Sequence, residues 1–146
     1  MKLPEIPEFG DGYLTGIELG EKTAVLSIQS YDGAKYQLRL SDLEAFLANE
    51  FRQGNIISSL EFTSGSSFDI AKFTSLWPES HPEVAAEYHQ KHKAFIERQW
   101  NKVACGDAVL VNLTASYGCE LVAVCGTVDL VALNISETTE QVSILE

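Results

Sequence analysis

Residues 23–40 read TAVLSIQSYDGAKYQLRL. Ala24, Leu26 and Ile28 alternate with Thr23, Val25 and Ser27, the two-residue period of a strand that turns one face to a core. Tyr36, Leu38 and Leu40 repeat the pattern against Gln37 and Arg39. Between the two runs stands Tyr31-Asp32-Gly33-Ala34, and Asp-Gly between alternating runs is the strongest short-range hairpin signal. A sheet therefore lies at the centre of this fold.

Working upstream, GYLTGIEL at Gly12–Leu19 places Tyr13, Thr15, Ile17 and Leu19 on one side of a third strand, making a meander. Downstream, Ser41 followed by Glu44 matches a capping box, in which side chains satisfy the free amides of a helix start. The expectation is a short helix from about Asp42 to Phe51, with Leu43, Phe46, Leu47 and Phe51 inward and Gly54 closing it. NIISSLEFTS then resumes as a strand through Ile57, Leu60 and Phe62, with a bulge at Ser58-Ser59. SGSS at Ser64–Ser67 is a turn. FDIAKFTSLW fits a helical turn or an edge strand, ended by Pro78.

Pro82 suits a first helical position, and a long helix is expected from there to about Val103, stopped by Gly106. DAVLVNLTAS, CELVAVCGTV, DLVALNI and EQVSILE follow as strands, with a bend at Gly126. Their near-continuous apolar runs suit buried positions in a central sheet. The expected fold class is α+β, a mainly antiparallel sheet with one short and one long helix packed on it. It forms a single domain over residues 1–146, with a seam between halves at 64–82.

A chain of 146 residues can bury a sizeable core without disulfide staples. Cys105, Cys119 and Cys125 are odd in number and lack CxxC spacing, which suits reduced thiols and a cytoplasmic location. No apolar stretch approaches a signal sequence or a membrane span. The net charge of −11 opposes nucleic-acid binding, which needs clustered cations. After Lys102 no Lys or Arg follows, whereas Asp107, Glu120, Asp129, Glu137, Glu140 and Glu146 do. Such a one-signed segment can steer a basic partner, with Glu120, Asp129, Glu137 and Glu140 as the candidate contact surface.

His89 and His92 raise the question of a metal. They need a third and fourth ligand, and no local HExxH pattern supplies one. His81 stands eleven residues before His92, about 16 Å along a helix axis. No metal or cofactor is expected. At 100° per residue, Val84, Tyr88, Phe95, Ile96, Trp100 and Val103 share a broad apolar arc, with His92 and Gln99 near its centre. A histidine there needs a hydrogen-bond partner, from Gln99, Tyr88 or a strand carbonyl. Alternatively Tyr88, His92, Gln99 and Trp100 line a ligand pocket between helix and sheet.

No GxSxG elbow, P-loop or GxGxxG occurs. Cys105 follows the helix end, where the dipole disfavours a thiolate. Cys119 and Cys125 are six apart on one face and suit buried packing. Asp129, inside the apolar run GTVDLVAL, is read as a turn residue.

The stretch YDGAKYQLRLSDLEAFLANEFRQGNII, within residues 12–63, resembles a pattern in small bacterial proteins. Some of these are similar to immunity proteins, which are encoded beside toxins and neutralise them by binding. The shared motifs are structural, so the resemblance transfers no functional residue. It implies a non-enzymatic binding protein, which agrees with an acidic surface engaging a macromolecular partner. The alternatives are a small-molecule-binding or hydrolytic domain built on the helix pocket, and a homodimer hiding the edge of AVLVNL or ELVAVC.

Overall fold

The computed structural model describes residues 3–66, 73–78 and 85–133. The chain forms β1 (Tyr13–Leu19), β2 (Thr23–Gln29), β3 (Lys35–Ser41), β4 (Ala45–Asn49) and β5 (Asn55–Thr63). These are followed by α1 (Ala86–Ala104), β6 (Val109–Tyr117), β7 (Glu120–Cys125) and β8 (Thr127–Leu133). The strands make one antiparallel eight-stranded sheet in the order β4-β7-β6-β5-β1-β2-β3-β8.

The β2–β3 hairpin stands where Asp32-Gly33 places it. Gly33 takes a φ of 94°, which glycine adopts without strain, and Ala24, Leu26 and Ile28 lie opposite Leu40, Leu38 and Tyr36. In β1 the expected alternation breaks. The register shifts between Leu14 and Gly16, so Leu14 is buried and Ile17 packs on the core, while Tyr13 and Thr15 face outward. One inserted residue reverses the facing of every side chain before it. The expected irregularity in β5 is present, with register shifts between Ile56 and Ser59.

The short helix expected at Asp42–Phe51 is instead β4, paired along its whole length with β7. The capping box fails because its parts are otherwise engaged. Ser41 ends β3, and the Glu44 amide donates to the Val124 carbonyl at 2.8 Å. Asp42 and Glu50, at φ 53° and 58°, bracket the segment with left-handed backbone. Phe46 and Ala48 turn to the core, so a strand period also fits this sequence.

The ends of the sheet are continuations of interior strands. β3 runs into β4 and β7 into β8, and residues 35–49 pair antiparallel with 120–133 on both sides of one corner. Gly126 makes that corner: its amide reaches the carbonyls of Ser41 and Asp42, and a Cβ there would stand 2.8 Å from Asp42 Cβ. The sheet thus folds back on itself, and both halves contribute to one core containing Phe9, Leu14, Leu26, Leu38, Ile57, Val111, Leu121 and Val128. Asp129 is not in a turn; it lies exposed within β8, opposite Arg39 of β3.

Strands β6 and β7 are buried on both faces. Val109, Val111 and Leu113 point into the main core, whereas Leu110 and Val124 join Ile96, Val103 and Phe73 beneath α1. Neither strand is an edge, which removes the subunit interface proposed for AVLVNL and ELVAVC. α1 ends as expected, with Gly106 at φ 89°. Phe73–Trp77 form a helical turn, the Leu76 amide donating to the Phe73 carbonyl. The expected helix start at Pro82 and the strand EQVSILE lie outside the described residues.

Asn55, 1% exposed, ties the closure together. Its Oδ1 accepts from the Arg52 amide at 2.8 Å and the Cys119 amide at 3.0 Å. Its Nδ2 donates to the carbonyls of Leu14 and Arg52. Gly118, at φ 85°, has no room for a Cβ, which would lie 2.3 Å from Asn55 Oδ1. Asn55→Ala should therefore destabilise by at least about 1–3 kcal/mol, since buried amides lose their acceptor. The exposed Glu61→Gln should change stability by less than about 0.5 kcal/mol. Urea titration of the two variants checks this; equal midpoints would refute the role of Asn55.

Burial pushes the Cys125 thiol up to about 12, with the Asp42 charge adding to it. Cys119 is raised by the same causes, burial first and then Glu120. Cys125 stays protonated well above neutral pH, whereas in the unfolded chain a thiol ionises near 9.0. For Cys125 the contribution to stability is therefore complete below about pH 9 and is lost as pH rises toward about 12. In native protein at pH 8, a thiol reagent should modify the exposed Cys105 alone, and all three cysteines after denaturation. Mass spectrometry counts the adducts.

Candidate functional site

The four residues expected to line a pocket do not come together. Tyr88 and His92 border a shallow depression of about 310 Å³ with Lys91 and Phe95. Gln99 is buried elsewhere, at 6% exposure, and Trp100 packs on the outer core. Tyr88 and Gln99 occupy one stripe of α1, but eleven residues separate them by about 16 Å along the axis. Tyr88 is exposed rather than part of the apolar face, which consists of Phe95, Ile96, Gln99, Trp100 and Val103. Trp77 bridges it, its ring 5.3 Å from that of Phe95.

His92 Nε2 and Gln99 Oε1 are buried without a hydrogen-bond partner among the described residues. The partner expected for His92 is absent there. Among the described residues, no three His, Cys, Asp or Glu side chains are grouped to hold a metal ion.

Of the expected acidic surface, Glu120 and Asp129 stand on opposite sides of the Gly126 corner. Glu120 opens β7 opposite Asn49, in a depression with Leu47 and Thr114. Asp129 lies beyond the Gly126 corner, opposite Arg39 in the register of β3 and β8. Glu137 and Glu140 lie outside the described residues.

Carboxylates converge at a different place, a depression of about 450 Å³ between the N-terminal segment and the β2–β3 hairpin. Glu8, Asp11 and Asp32 line it together with Tyr31 and Tyr36, and no Lys or Arg is among its lining residues. The N-terminal side is held by Phe9, which is 2% exposed and meets Tyr36 edge-on at 5.3 Å. The next residues are fixed by backbone: the Asp11 amide donates to the Ile57 carbonyl and the Gly12 amide to the Phe9 carbonyl, both at 2.9 Å. Glu8 accepts the Gly10 amide at 2.9 Å.

On the hairpin side, the Asp32 carboxylate accepts the Ser30 hydroxyl and the Ala34 amide. The Ser30 hydrogen bond, then that of Ala34, holds its carboxyl below the usual carboxylate value. Asp32 thus keeps its negative charge at physiological pH. Tyr31 stands 80% exposed beside it. Carboxylates next to tyrosine rings suit a cationic group, which gains both charge pairing and the attraction of an aromatic face.

In the sequence pattern Asp32 stands only as a turn residue, and Glu8 and Asp11 carry no signal of a role. The meander itself contains the missing signal. Tyr13 pairs with Gln29, so the residues before β1 lie beside those after β2. No known protein family matches this chain, and neither a curated protein nor a solved structure matches it.

Proposed function

We propose that the protein is a non-enzymatic binding protein that engages a basic macromolecular partner through its acidic surface. The supporting observation is the depression of Glu8, Asp11 and Asp32 with Tyr31 and Tyr36, free of cations in its lining, in a chain of net charge −11. A lysine or arginine side chain of the partner fits between the carboxylates and the rings. The resemblance within residues 12–63 makes an immunity-like role the concrete version, with the partner a toxin and the setting a bacterial cytoplasm.

Charges farther apart than about 8 Å act weakly at physiological ionic strength unless several act together. Three carboxylates around one depression meet that condition. The binding is then fast at low salt and slows as screening increases.

A second reading, small-molecule binding beside α1, is favoured by the unpartnered His92 Nε2 next to the 310 Å³ depression. The two readings separate in one experiment. Partner capture from native lysate at low and high salt is compared for the wild type and the Glu8→Gln/Asp11→Asn/Asp32→Asn triple variant. Association should slow by at least about tenfold in the variant, with dissociation changed less. Capture that is indifferent to both salt and substitution would refute the acidic-surface reading.

A further inference from the structure

The outer surface at the β1–β5 seam carries an aromatic row that nothing described covers. Tyr13 pairs with Ile56, and Ile56 with Tyr117, so three neighbouring strands place these side chains abreast on one face. Tyr13 and Tyr117 are 41% and 50% exposed, and Phe51, in the loop tied down by Asn55, is 48% exposed. The Arg52 guanidinium stands 5.9 Å from the centre of the Tyr117 ring. Tyr13 and Thr15 on one side, with Phe51, Arg52 and Gln53 on the other, line a groove of about 490 Å³. Contiguous apolar surface of this kind marks interaction sites.

The groove opens where β5 departs from β1. Their pairing stops at Leu14 and Asn55, and from Gly16 to Leu19 no described residue pairs with the edge of β1 turned away from β2. An unpaired strand edge offers amides and carbonyls in a row, which another extended backbone satisfies in register.

We propose that this groove takes an extended segment of a partner protein, added alongside β1. An apolar side chain of that segment packs on Tyr13 and Phe51, and a carboxylate meets Arg52. Charge decides the last point. Among the described residues, Arg52 is the only charged one lining the groove. Its contact with Glu50 is 3.7 Å long with both side chains more than half exposed, and such pairs hold weakly. The guanidinium fork remains open to a second, bidentate carboxylate. The net charge of −11 repels a run of acids, so the segment carries one isolated acid among apolar residues. This surface shares no lining residue with the acidic depression, and its role holds whether or not that depression binds.

The test pans a library of random twelve-residue peptides against the full chain and measures the enriched peptide by fluorescence anisotropy. The expected enrichment is a single Asp or Glu flanked by alternating apolar residues. Arg52→Ala and Phe51→Ser should each weaken binding at least tenfold, while Glu8→Gln/Asp32→Asn leaves it unchanged. The Arg52 contacts to Asn55 are made by its backbone, so Arg52→Ala preserves the closure, and an unchanged melting temperature confirms it. Three results would overturn the proposal: no enriched sequence, binding indifferent to both groove variants, or self-association of the free protein that these variants abolish. The last would make a second copy the occupant.

Discussion

Four hydrogen bonds converge on the amide of Asn55, and the closure of the sheet depends on them. β1 and β5 pair through Tyr13–Ile56 and Leu14–Asn55, and the residues just before β1 add the Asp11 amide to the Ile57 carbonyl and the Ile57 amide to the Gly12 carbonyl, still a short ladder. The side chain of Asn55 extends that contact to the Leu14 carbonyl, the Arg52 backbone and the Cys119 amide. A buried amide with all its partners rigidifies its surroundings, and one with partners missing is costly. The same bonds fix the loop that presents Phe51 and Arg52. Closure and the exposed aromatic row thus share one origin.

The opposite closure uses chain continuity instead of a side chain. At the Gly126 corner, β3–β4 and β7–β8 each pass from one half of the sheet to the other while staying paired. β6 and β7 then lie between two cores, the inner one closed by the sheet and the outer one by α1. Burial on both faces explains why these strands read as unbroken apolar runs, as in sheets covered on both sides. It also explains the helix. α1 has a mixed, largely polar sequence because it covers only the outer faces of two strands, and its inner stripe tolerates Gln99 among Ile96 and Val103.

Much of the sheet was legible because strand periodicity is a local signal. The β2–β3 hairpin, the β5 bulge, the end of α1 and the bend at Gly126 all stand where residue pattern places them. What failed was decided by distant partners. LEAFLANEF satisfies a helical and a strand period alike, and pairing along its whole length with β7 selected the strand. Tyr13 changed faces through one bulged residue, and Asp129 gained Arg39 as a cross-strand neighbour. The acidic depression needed the register of β1 against β2, which no single stretch contains. The acids after Lys102 formed a run in sequence, yet the corner separates Glu120 from Asp129.

The pairing of β3 with β8 has a consequence for biosynthesis. Lys35 pairs with Leu133, 98 residues later. At translation rates of about 5–20 residues per second, β3 emerges on the order of 5–20 s before its partner is made. Through that interval the β1–β2–β3 meander exists with one flank open, able to pair with another nascent chain on the same message. Arg39 and Lys35 sit on that waiting strand, and like charges on neighbouring ribosomes discourage such pairing until β8 arrives to cover the edge. The cations on the finished β3 surface therefore double as a guard during synthesis.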